Sequence, residues 1–112
     1  MHEHQWVKEF PGSIAVCDPD GILLEVNALA QTQLEYGQDL IGTNILDCHP
    51  EPARTRLKGI LESGQANIYT IEKKGKRKLI YQAPWYREGK YAGFVELGLE
   101  IPEVMPHFVR QG

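Results

Sequence analysis

Ser13-Ile14-Ala15-Val16-Cys17-Asp18-Pro19-Asp20-Gly21-Ile22-Leu23-Leu24-Glu25-Val26-Asn27 is two short apolar runs held apart by a turn and closed by an asparagine. The first run, Ser13 to Cys17, reads as a buried strand. Asp18-Pro19-Asp20-Gly21 then combines an aspartate that bonds the backbone, a proline that fixes φ and a glycine that accepts positive φ. Ile22 to Val26 is the returning strand, so the stretch predicts a β-hairpin. Asn27 precedes the helical composition of residues 28–36 and is placed to cap that helix.

Outward toward the C-terminus, Gly37 stops the helix, and Gln38 to Gly42 reads as a further helical turn. Asn44 to Pro50 is irregular. A regular helix is expected over 52–63, where Ala53, Leu57, Ile60 and Leu61 form an apolar stripe at i, i+4, i+7 and i+8. Strands follow at 66–72, 77–83 and 91–99, joined by the turns Lys73-Lys74-Gly75-Lys76 and Arg87-Glu88-Gly89-Lys90. The N-terminal hairpin cannot hide its apolar face alone, so it is expected to join this meander. The predicted fold is α+β, a five-stranded antiparallel sheet with short helices packed on one face. Residues 1–10 read as an N-terminal helical arm, 11–101 as the domain and 102–112 as a C-terminal tail.

Bulk properties fit one small domain: 112 residues, 42% hydrophobic and 24% charged. A net charge of −3 lacks the basic excess of a dedicated nucleic-acid binder. No apolar run approaches the roughly 18 residues needed to span a bilayer, so no membrane association is expected. The polar start, Met1 to Gln5, does not resemble a signal peptide, and a cytoplasmic location is the expectation. Cys17 and Cys48 form neither a disulfide framework nor a Cys-x-x-Cys site.

The order of elements and several local phrases resemble PAS domains over about residues 10–100. Asp18 to Gly21 resembles the turn between the first two PAS strands. Leu23 to Val26 followed by Asn27-Ala28-Leu29-Ala30 resembles the strand-to-helix junction. Leu34-Glu35-Tyr36-Gly37-Gln38-Asp39-Leu40-Ile41-Gly42 and Gly89-Lys90-Tyr91-Ala92-Gly93-Phe94 resemble two further family phrases. Cys48-His49-Pro50 resembles a subgroup carrying Cys-His-Pro before the long helix. The resemblance implies a PAS-type sensory fold and a ligand-facing wall near that motif. The tail departs from the family habit, because Pro102 and Pro106 oppose a continuous signalling helix.

The residues expected to face a ligand are His49, Cys48, Leu57, Leu61, Tyr69 and Tyr81. His49 is a candidate for ligand contact, and its structural alternative is a loop cap bonded to backbone. Cys48 is a candidate sensor thiol or, alternatively, a small buried hydrophobe, as Cys17 is expected to be. The cofactor is left unnamed. Haem and flavin are compatible with the fold, but the helix over 52–63 holds no histidine and no flavin-adduct phrase precedes it. No metal site is expected. The run Lys73, Lys74, Lys76, Arg77, Lys78 reads as a solvated hairpin tip, with contact to an acidic partner or nucleic acid as its functional alternative.

The leading expectation is a sensory or regulatory domain that binds a small, largely apolar ligand. It would signal through a homodimer or partner by way of Trp6, Val7, Phe10 and the outer sheet face. One alternative is a ligand-free interaction module, and a cavity above about 300 Å³ would separate the two. The other is a small enzyme using Cys48 and His49, although no nucleophile–base–acid set is visible.

Overall fold

A computed structural model describes residues 4–34 and 40–112. Gly37 and the phrase Gln38-Asp39 lie outside the described residues. The element order is α1 (Gln5–Lys8), β1 (Ser13–Cys17), β2 (Leu23–Val26), α2 (Ala28–Leu34), a 3₁₀ turn (Ile45–Cys48), α3 (Ala53–Ser63), β3 (Asn67–Lys73), β4 (Lys76–Arg87) and β5 (Lys90–Ile101). The strands form one antiparallel sheet in the order β2-β1-β5-β4-β3. The N-terminal hairpin thus joins the meander through β1, which pairs with β5 from Ser13↔Gly98 to Cys17↔Phe94.

The first turn forms as its chemistry dictates. Asp18 Oδ1 accepts from the backbone N–H of Asp20 and of Ile22, both at 2.9 Å, and Gly21 takes φ +89°. Asn27 caps α2, its Oδ1 accepting from Ala30 N at 3.1 Å. Gly64, at φ +66°, ends α3 and returns its N–H to the Ile60 carbonyl.

β4 and β5 run longer than the sequence alone indicates, because Pro84 lies inside β4 opposite Phe94. β3 begins at Asn67, opposite Gln82, so beyond that pair no third strand needs an N–H from Pro84. The helices cover one sheet face, where Cys17, Leu61 and Phe94 form the core with Ile45, Leu46, Leu57, Ile60 and Tyr91 packed around them. Among the described residues, no large side chain is fully buried. The core is shallow, and much apolar surface stays on the other face.

A cavity between the long helix and the sheet

Strand register decides which side chains meet under α3. Directly paired residues share a sheet face, and neighbours along a strand alternate. The row Asn67–Gln82–Glu96–Ala15 and the row Phe94–Cys17 therefore lie on the face under the helices. The intervening row, Ala83–Val95–Val16, and the row Ile68–Tyr81–Leu97–Ile14 on the other side of Gln82 lie on the outer face.

Between the inner rows and α3 lies a cavity of about 100 Å³. α3 contributes Leu57, Ile60 and Leu61. The 3₁₀ turn and its exit contribute Ile45 and His49. The sheet contributes Ala15, Cys17, Leu23, Gln82, Phe94 and Glu96. Of the residues expected from sequence, His49, Leu57 and Leu61 are brought together here. Tyr81 is on the opposite face and does not line the cavity. Tyr69 shares the inner face through its pairing with Ile80, but it sits on edge strand β3 outside the lining and is exposed. Cys48 belongs to the 3₁₀ turn, and its side chain lies outside what the structure describes.

Each polar group has a defined role. His49 Nδ1 donates to the Ile45 carbonyl at 2.6 Å, which places a proton on Nδ1 and orients the ring. Asn67 Nδ2 donates to Gln82 Oε1 at 2.9 Å, and Gln82 Nε2 donates to Glu96 Oε2 at 2.6 Å. This amide–amide–carboxylate row crosses three strands. Burial pushes the Cys17 thiol up; Phe94 N–H opposes that, and the charges of Asp18 and Glu96 add to it. The Tyr69 phenol is raised by burial and by Glu96, against Arg56. Tyr91 packs behind the lining, donating its hydroxyl to the Leu61 carbonyl at 2.7 Å and meeting Phe94 edge-to-face. Among the described residues, no group of three or more His, Cys, Asp or Glu is placed to hold a metal ion.

Gln82 and Glu96 were not anticipated as site residues. Their signal was present in the sequence, since each interrupts an otherwise apolar strand. The usual assumption sends the polar series of a half-buried strand to solvent. Here the series Phe94, Glu96, Gly98 faces the helices, and the aliphatic series Val95, Leu97, Leu99 faces outward.

No family model matches the chain, and no curated protein matches it in sequence. Solved structures do match. The PAS domain of an HTR-like protein from Haloarcula marismortui is 18% identical, with a TM-score of 0.60 over 86% of this chain and 86% of that one. The PAS domain of BvgS from Bordetella pertussis is 16% identical, with a TM-score of 0.64 over 88% and 83%. A sensory box sensor histidine kinase from Vibrio cholerae is 15% identical, with a TM-score of 0.63 over 92% and 89%.

Proposed function

We propose that this chain, whose fold is that of the PAS domains it resembles, is a sensory or regulatory domain that takes a small, largely apolar molecule into the cavity beneath α3 and reports occupancy through dimer or partner contacts. The observation that carries this reading is the cavity itself: apolar side chains of α3 and β5 around one fixed polar row, in the fold shared with a sensor kinase domain. The volume of about 100 Å³ falls below the roughly 300 Å³ expected of a ligand pocket, so the occupant is a molecule much smaller than a haem or flavin. Filling or swelling the cavity presses on Leu57 and Leu61 and biases α3 between two packings against the sheet.

The outer face supplies the output surface. Ile14, Val16, Leu79, Val95, Leu97 and Leu99 alternate outward with Tyr81 and Ile68, which are 39% and 51% exposed. Trp6 of α1 is 72% exposed, and Phe10 flanks Gly12 together with Leu99. An apolar face of this kind suits a second copy of the chain.

Mass spectrometry under native conditions, with an absorption spectrum of the freshly purified protein, tests the ligand reading. A retained small mass on the folded chain supports it. A bare chain that also fails to bind small apolar probes sinks it. The second reading, a ligand-free interaction module, is favoured by the modest volume and the apolar outer face together. It predicts that filling the cavity with Leu57→Phe leaves self-association unchanged.

A further inference from the structure

The cavity is apolar inside and acidic at its mouth. Leu57, Leu61 and Phe94 line the interior, whereas Glu96 lines the same cavity and remains exposed to solvent. The amide of Gln82, itself oriented by Asn67, holds one carboxylate oxygen of Glu96. Among the described residues no lysine or arginine pairs with Glu96; the ion pairs are Arg54–Asp47, Lys76–Glu100 and Arg77–Glu72. Burial is the main reason that Cys17 and Tyr69 resist ionisation, and the Glu96 charge adds to it, at Cys17 in the cavity wall and at Tyr69 on the neighbouring edge strand. The other polar wall group, His49, has committed Nδ1–H to the Ile45 carbonyl. An occupant therefore meets the Glu96 carboxylate as the charged group at the mouth.

We propose that the cavity binds a small organic ammonium ion, with its N–H donors on Glu96 at the mouth and its apolar body against Leu57, Leu61 and Phe94. This inference rests on the reading of the cavity as a ligand site and adds the charge and size of the ligand. The size follows from volume. An apolar cavity of roughly 150 Å³ holds benzene, so about 100 Å³ holds a body of somewhat fewer heavy atoms. The charge follows from placement. An ammonium at a solvent-open carboxylate keeps part of its hydration, which avoids the large penalty of burying a lone ion. An anion of the same shape is repelled, and a neutral alcohol keeps one hydrogen bond to the carboxylate but loses the attraction between opposite charges and the further N–H donors.

The test uses three probes of matched shape on the full chain: butylammonium, 1-butanol and butyrate. Binding is followed by calorimetry and by NMR shifts of cavity residues. Butylammonium is expected to bind about tenfold tighter than 1-butanol. Glu96→Gln, isosteric and at an exposed position, is expected to erase most of that difference by weakening butylammonium binding far more than 1-butanol binding. Equal binding of the ammonium and the alcohol, or tighter binding of butyrate, overturns the charge assignment and leaves the ligand reading standing. No shift at cavity residues with any probe overturns both.

Discussion

Asn27 joins three segments of the chain through one side chain. It is 3% exposed, accepts from Ile14 N and Ala30 N through Oδ1, and donates from Nδ2 to the carbonyls of Val7 and Gly12. A residue expected only to cap α2 thus also ties the N-terminal arm to β1. Asn27→Ala orphans buried donors and acceptors and is expected to cost about 3 kcal/mol in urea denaturation. Asn27→Ser, which keeps an acceptor for the cap, is expected to cost less. Cys17 offers a second residue-scale prediction. Its thiol is raised above the ordinary value of 9.0, chiefly by burial, so the folded state favours the neutral form. That stability is fully present below pH 9.0 and is lost as pH rises through the higher folded value. The melting temperature is expected to stay level from about pH 7 to 9 and then fall. Cys17→Ala should make the first part of the fall shallower, and an unchanged slope would remove Cys17 from the account.

At the scale of elements, the crossing of β1 and β5 is the tightest place in the sheet. Gly93 has φ +130°, and a Cβ there would lie 1.9 Å from the Cys17 carbonyl oxygen. That oxygen instead receives the indole N–H of Trp85 at 3.0 Å, from the residue paired with Gly93 on β4. Gly93→Ala is expected to destabilise the domain by about 3 kcal/mol or more, because backbone must move. Gly75 at the β3–β4 turn has φ +76° with open space around it, so Gly75→Ala is expected to cost about 1 kcal/mol. Thermal melts of the two variants side by side check the contrast. The link between α3 and β5 is lighter. Tyr91→Phe removes the hydroxyl donated to Leu61, with an expected loss of about 1 kcal/mol in thermal or urea denaturation.

The molecule as a whole is less compact than its length implies. Its radius of gyration is 15.2 Å, against about 13–14 Å for a compact chain of this size. Residues 102–112 carry no regular structure, and Val104, Met105, Phe108 and Val109 are exposed. Arg77 holds the start of this tail by donating to the Glu103 carbonyl at 2.8 Å. The lysine-rich tip beside it is exposed, with Lys76 near Glu100 and Arg77 near Glu72. Among the described residues no helix is long and apolar enough to cross a membrane. A second copy on the outer sheet face is expected to bring the chain to a dimer in light scattering. Tyr81→Glu, at an exposed position on that face, should return it to a monomer with little change in melting temperature. A wild-type monomer at high concentration would remove the dimer from the account.

Local chemistry was enough to write most of the fold in advance. The Asp18–Gly21 turn, the Asn27 cap, the apolar stripe of α3 and the Gly64 stop depend on residues a few positions apart, and such interactions are legible in order along the chain. His49, Leu57 and Leu61 were expected together from the resemblance to PAS domains, and the three line one cavity. What the sequence could not supply was which face of β4 and β5 turns inward. That is set by the pairing of β5 with β1, about 80 residues away along the chain, and one residue of register exchanges the two faces. Tertiary pairing therefore sent Tyr81 and the aliphatic series outward, and put Gln82 and Glu96 beneath α3. The hairpin and helices were written locally; the polar row in the cavity came from long-range strand register.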